Sequence, residues 1–230
     1  MLRKLKRDFH LFGRTVKDMV SKEKFCKRQK SNYTWKDSIE IIQPFTKSAT
    51  LIEKKQNLAL AAERIGLYVV RPGETFSFWR CVGNPNTNEF ACSRGIRGGL
   101  LHIERGGGLC QASGIIYHLS LIAGLKVTER YNHSKDLYTD ETRFCPLGSD
   151  ATVAYGYRDL RVKNTSNDAI RFELQVHDDH FTGVLHSSGL ISQRDIHFEY
   201  SIKADNIIEA RTIDKSDGSI LAVSRYERMD

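Results

Sequence analysis

Gly106-Gly107-Gly108-Leu109-Cys110-Gln111 is the segment that most restricts how this chain can fold. Three glycines run straight into a cysteine, and an apolar, helix-compatible stretch follows from Gly114 to Leu125. Glycine admits left-handed backbone and close approach of other groups. The run therefore predicts a tight turn that delivers Cys110 to the start of a helix. Unpaired backbone N–H groups and the positive end of the helix dipole there favour thiolate over thiol. The Cys110 and Gln111 N–H groups and the Gln111 amide are candidate donors to an oxyanion. The alternative is a buried, inert cysteine that follows a packing turn.

A thiol nucleophile needs a base. His118 stands eight residues beyond Cys110, about 12 Å along the same helix, which puts it out of reach. His102 precedes the glycines and can fold back. His133 follows the helix and can cross back toward its N-terminus. Asp136, Asp140 and Asp150 are candidates to orient that histidine.

Five cysteines, Cys26, Cys81, Cys92, Cys110 and Cys145, leave at least one thiol free, and no CxxC pair gives the usual zinc spacing. A metal site built from Cys110, His102 and His133 is the weakest alternative, and no cofactor is implied. The formal charge of +7 is uneven: residues 1–30 hold eleven Lys/Arg against three Asp/Glu. The remainder is nearly neutral, which removes the charge basis for nucleic-acid binding. No apolar run approaches a membrane span, and the N-terminus has no secretory core, so a cytoplasmic protein with reduced thiols is expected.

Leu2, Leu5, Phe9, Phe12, Val16 and Met19 recur at steps of three and four, with Lys4, Lys6, Arg7, Arg14 and Lys17 on other faces. This predicts a basic amphipathic helix that either contacts an anionic membrane surface or packs on its own domain or a partner. Residues 22–34 read as a linker. A second helix is expected from Thr50 to Ile65, and a short aromatic strand from Thr75 to Trp79. Residues 87–105 read as a loop with one or two strands. Beyond the Cys110 helix the pattern turns to strands: 151–155, 160–163, 170–176, 181–186, 196–203, 207–212 and 220–223. Asp178-Asp179 and Asp217-Gly218 form turns. Helices first and strands later predict an α+β fold, with the Cys110 helix packed on an antiparallel or mixed sheet and a β-rich C-terminal part.

An ordered set of motifs carries a family resemblance: Pro72–Trp79 (PGETFSFW), Val82-Gly83, Gly106–Ser113 (GGGLCQAS), Tyr117, Ala123–Leu125, Glu129-Arg130, His133-Ser134, Gly148–Val153, Asp159-Leu160 and Lys163-Asn164. Together they resemble a VanW domain. The resemblance divides the chain into an N-terminal helix and linker (1–34), a VanW-like domain (35–189, motif core 71–189) and a β-rich extension (190–230). It departs at Gly114, where the family usually has Thr.

The resemblance implies a link to glycopeptide resistance. It also implies L,D-type acyl transfer on peptidoglycan stem peptides or their precursors, with Cys110 as nucleophile and His133 as base. Read from the residues themselves, Asp150 is either the acid that orients His133 or a turn or cap residue before residue 151, Gly108, Gln111 and Ser113 line the substrate or oxyanion site, and Arg130 either holds a substrate carboxylate or joins a structural ion pair. A non-catalytic module that binds stem peptides or a resistance-cluster partner is the competing expectation.

Overall fold

The computed structural model describes residues 2–29, 32–97, 100–136, 143–203 and 206–228, without the side chains of 2, 3, 96, 97, 100 and 101. Its four helices are α1 (Leu2–Val20), α2 (Leu51–Ile65), α3 (Phe78–Val82) and α4 (Leu109–Ile122). The strands of the first half are β1 (Lys27–Arg28), β2 (Asp37–Pro44), β3 (Tyr68–Val69), β4 (Thr75–Ser77), β5 (Cys92–Arg97) and β6 (Leu100–Arg105). Those that follow α4 are β7 (Lys126–Glu129), β8 (Lys135–Asp136), β9 (Arg161–Lys163), β10 (Ile170–Val176), β11 (His180–Ser187), β12 (Ile196–Lys203), β13 (Ile207–Asp214) and β14 (Ser219–Arg228). The fold is α+β, as the order of elements predicts.

Helix α4 is the centre of the molecule. Leu109, Ala112, Ile115, Ile116 and Leu119 are buried on it, as are Leu58, Ala61 and Ile65 on α2. The antiparallel sheet β10-β11-β2 closes the core with Phe172, Phe181 and Leu185. Gly183 of β11 sits under α4 so closely that a Cβ there would meet the Ile115 side chain at 2.8 Å. A second small sheet, β4-β9-β7, lies beside it. Phe76 of β4 meets Phe172 edge-on, with ring centroids 5.1 Å apart. A third sheet, β12-β13-β14-β8, runs antiparallel until β8, which joins β14 in parallel. That pairing brings the end of β14 beside the segment after His133.

Two expected strands change. The segment 75–79 is a strand only to Ser77, because the Ser77 hydroxyl accepts the Arg80 N–H and caps α3. The Asp159 carboxylate accepts from the Ser77 hydroxyl at 2.6 Å and from the Trp79 N–H at 3.1 Å, which fixes the break. Residues 151–155 are not a strand but a run laid across the N-terminus of α4, held by Ser113 Oγ on the Ala151 carbonyl at 2.6 Å. Strand β2 carries no sequence signal used above. It is nevertheless paired along its whole length with β11, from Asp37↔Ser187 to Pro44↔His180.

Candidate active site

The glycines do the work expected of them. Gly106 and Gly108 have φ of +73° and +95°, and Gly108 is the N-cap of α4. Gly107 lies against the Ser93 carbonyl, which a Cβ would approach to 2.4 Å. Buried Asn57 of α2 pins the turn: its amide donates to the carbonyls of Gly107 at 3.0 Å and Ala91 at 3.1 Å, and its oxygen accepts the Ala91 N–H. Cys110 is thereby the second residue of a 14-residue helix, where the dipole favours a thiolate.

His133 comes from the loop after β7. Its Nδ1 is 2.6 Å from an Asp150 carboxylate oxygen that also accepts the His133 backbone N–H at 2.8 Å. With Nδ1 occupied, Nε2 is the nitrogen left for the thiol. It is buried and makes no well-aligned hydrogen bond, yet the ring and the Cys110 thiol shift each other's protonation. Loose geometry of this kind before substrate binds is common in nucleophile–base pairs. The Cys110 sulfur also lies 3.6 Å from Thr152 Oγ1.

Burial opposes each charge in the triad, and the partners outweigh it. Burial pushes the Cys110 thiol up, but the adjacent His133 brings it below the ordinary thiol value. Burial pulls His133 down, but Asp150 and the Cys110 sulfur raise it to about 10. Burial raises Asp150, but His133 and Arg130 hold it at about 2. The arrangement favours a thiolate–imidazolium pair with an ionised aspartate behind it.

Arg130 and Asp150 form a 2.9 Å ion pair. Arg130 Nε donates to the Asp150 carbonyl at 2.8 Å and Nη1 to Ser224 Oγ at 2.6 Å. Its guanidinium stacks over Tyr117, 4.7 Å from the ring centroid. The Tyr226 hydroxyl donates to the same Asp150 oxygen as Arg130, opposite the one that faces His133.

A family model described as "VanW like protein" matches residues 53–186. The chain belongs to the VanW family. It is 33% identical over 142 residues to the uncharacterized protein YoaR of Bacillus subtilis (strain 168), which is 61% of this chain and 45% of that one. It is 30% identical over 128 residues to the vancomycin B-type resistance protein VanW of Enterococcus faecalis (strain ATCC 700802 / V583), 55% of this chain and 46% of that one. The chain thus spans about half the length of the curated relatives it matches. No solved structure matches it significantly.

Cys110, His133 and Asp150 all lie inside the region that matches the VanW model, whereas Tyr226 and Ser224, which brace them from β14, lie outside it. The other candidate residues take these places. Arg130 is turned inward, only 9% exposed, and paired with Asp150, which is the geometry of the structural ion pair. Ser113 is fully buried and ties α4 to residue 151, so it does not face substrate. The Gln111 N–H donates to the Gly108 carbonyl at 2.9 Å and is not a free oxyanion donor, while the Gln111 side-chain amide is buried with neither polar atom paired.

His102 lies exposed on β6, opposite Gly95. His118 packs against Phe198 and is pulled down to about 4 by burial. Asp136 is claimed by Arg143 through bonds of 2.7 and 3.0 Å, and Asp140 lies outside the described residues. Among the described residues no three His, Cys, Asp or Glu side chains are grouped to hold a metal ion. Nor is any described helix long and apolar enough to cross a membrane.

The site opens into a cavity lined by Gln43, Lys54, Arg94, Cys110, Gln111 and His133, among others. Lys54, Arg94 and Gln43 carry no motif signal, because they come from α2, β5 and β2 and meet only in the folded chain.

Proposed function

We propose that this VanW-family protein is a cysteine acyltransferase of the L,D-transpeptidase or carboxypeptidase type that acts on peptidoglycan stem peptides or their precursors. The observation that carries this reading is the alignment of a cysteine in the first turn of a helix, a histidine and a buried aspartate on one cavity. The resemblance to a protein named for vancomycin resistance supports a resistance-associated role.

In this mechanism the Cys110 thiolate attacks the carbonyl that joins the third and fourth stem residues, forming the C–S bond and an oxyanion. The His133 imidazolium gives its Nε2 proton to the departing amine as the C–N bond breaks. The thioester then passes to an acceptor amine for a cross-link, or to water for hydrolysis. His133 removes the proton of the attacking group. Asp150 holds the ring with Nε2 toward the sulfur, and Arg130 and Tyr226 hold Asp150.

The test is incubation of the full chain with a stem tetrapeptide, with and without an acceptor amine. The expected result is release of the terminal amino acid and a mass adduct on the Cys110 peptide equal to the tripeptide acyl group. Saturable tetrapeptide binding with no adduct and no release would establish a binding module instead.

A further inference from the structure

The cavity beside Cys110 has polar groups that the triad does not use. The Gln111 side chain is only 6% exposed, yet among the described residues neither amide atom has a partner, and Gln43 Oε1 is orphaned in the same way. Leaving a buried polar atom unpaired is costly, so such atoms mark a place that a polar ligand or its water fills. Four Lys and Arg cations line the same cavity, of which Lys135 pairs with Glu227 and Arg143 with Asp136, leaving Lys54 and Arg94. Lys54 stands over the rings of Phe45 and Phe144, at 5.4 and 5.9 Å from their centroids, and among the described residues no hydrogen bond or carboxylate partner holds its ammonium. The acids on this wall are taken: Asp136 by Arg143 and Asp150 by His133 and Arg130. Burial, and to a lesser degree Arg94, pull Lys54 down to about 8, which reflects an uncompensated cation. Gly108 exists where it does partly for this side chain, since a Cβ there would meet Lys54 Cγ at 2.6 Å.

We infer that Lys54 and Gln111 form a subsite for a peptide with a free C-terminal carboxylate, Lys54 taking the carboxylate of the leaving residue and Gln111 a peptide group beside it. This names the substrate class of the acyl-transfer reading and rests on it. Lys54 packs on Gly108, two residues before the nucleophile, so the charge it recognises lies within one or two residues of the attacked carbonyl. Arg94 adds positive potential at the rim.

The experiment compares a stem tetrapeptide with its C-terminal amide, using full-length wild-type, Lys54→Met and Lys54→Arg proteins. It reads kcat and KM, and also reads binding on the Cys110→Ala background, where no turnover is needed. The expected result is at least tenfold weaker wild-type binding of the amide. Lys54→Met should lose a similar factor for the free acid, chiefly in KM, and little for the amide, with Lys54→Arg restoring part of it. Equal loss for both peptides, or none for either, overturns the subsite. Turnover that is absent while the carboxylate preference in binding persists overturns acyl transfer and leaves the subsite standing.

A separate observation concerns α1. It docks by its polar side: Arg14 is bidentate on Glu129 at 2.6 and 2.9 Å, and Asp18 pairs with Arg161 and Arg80. The apolar stripe is left outward, with Leu5 73%, Phe9 75% and Met19 66% exposed, and Phe12 and Val16 beside them. This reverses the usual packing of an amphipathic helix. Lys4, Lys6 and Lys17 are exposed on the same helix, and the exposed acid Asp8 is bridged by Arg7 at 3.0 Å.

We propose that α1 lies flat on an anionic lipid surface, apolar stripe toward the acyl chains and lysines toward the headgroups. Flotation of the full chain with phosphatidylcholine vesicles, with and without phosphatidylglycerol, tests it. Binding should appear only with the anionic lipid, weaken with salt, and fall at least tenfold in Phe9→Glu/Phe12→Glu and in Lys6→Glu/Lys17→Glu proteins. Equal binding to neutral vesicles overturns the proposal. So does a wild-type dimer that the Phe9→Glu/Phe12→Glu change dissolves.

Discussion

Cys110→Ala protein is expected to lose turnover of a stem tetrapeptide by at least about 10³-fold while remaining folded. The size of the effect follows from the site. In the proposed mechanism the thiolate supplies the bond that divides acyl transfer into two steps, and among the described residues no second thiolate stands in its place. Cys145 also faces the cavity, but burial pushes its thiol up to about 11, so it stays protonated at neutral pH. Cys26 and Cys81 are buried. Steady-state kinetics on wild type and variant, with near-ultraviolet circular dichroism to show that the fold persists, gives the answer. A variant with full activity would remove Cys110 from the chemistry.

Asp150→Asn carries the second large effect, and it acts on stability as well as rate. Asp150 joins His133, Arg130 and Tyr226 in one buried network, and the neutral amide leaves the Arg130 guanidinium without its counter-charge. Breaking one side of a buried ion pair costs about 3–5 kcal/mol. The amide can also donate to Nδ1 and reverse the ring's tautomer, so a rate loss on the order of 10²- to 10⁴-fold is expected.

Acid titration separates Asp150's own contribution. Its folded-state pKa of about 2 lies below its ordinary 3.8. Its stabilisation is therefore complete above about pH 4 and is lost as pH falls through about 2. Denaturant unfolding from pH 6 to pH 2 should show that loss in wild type and a correspondingly flatter profile in Asp150→Asn. Equal slopes in the two proteins would contradict the buried-carboxylate assignment.

The sequence made local features of the site legible and long-range ones not. Cys110 at a helix start is readable because three glycines, a polar residue and an apolar helix are contiguous. His133 and Asp150 stand in short motifs, so they too are visible. Arg130 reads equally as a substrate fork and as a structural ion pair, because a guanidinium has the same chemistry whether it faces a carboxylate of the protein or of a ligand. Only Ser224, Gly148 and Tyr117, brought to it by folding, decide between the two.

Tyr226 and Ser224 had no signal, since β14 reaches the site through parallel pairing with the two-residue strand β8. The break at Ser77 was hidden because it depends on Asp159, 82 residues away. In α1 the apolar stripe was plain in the spacing. Its outward direction was not, because that depends on Glu129, Arg80 and Arg161 holding the opposite face.

The pH-dependence of Cys110 alkylation tests the central claim most directly. Iodoacetamide labelling across pH 5 to 10, read on the Cys110 peptide to separate it from the exposed Cys92, reports the thiolate fraction. The account predicts an inflection below the ordinary thiol value of about 8.5, moved upward in Asp150→Asn protein, where the imidazolium loses its support. An inflection at or above about 8.5, unchanged by that substitution, would contradict it.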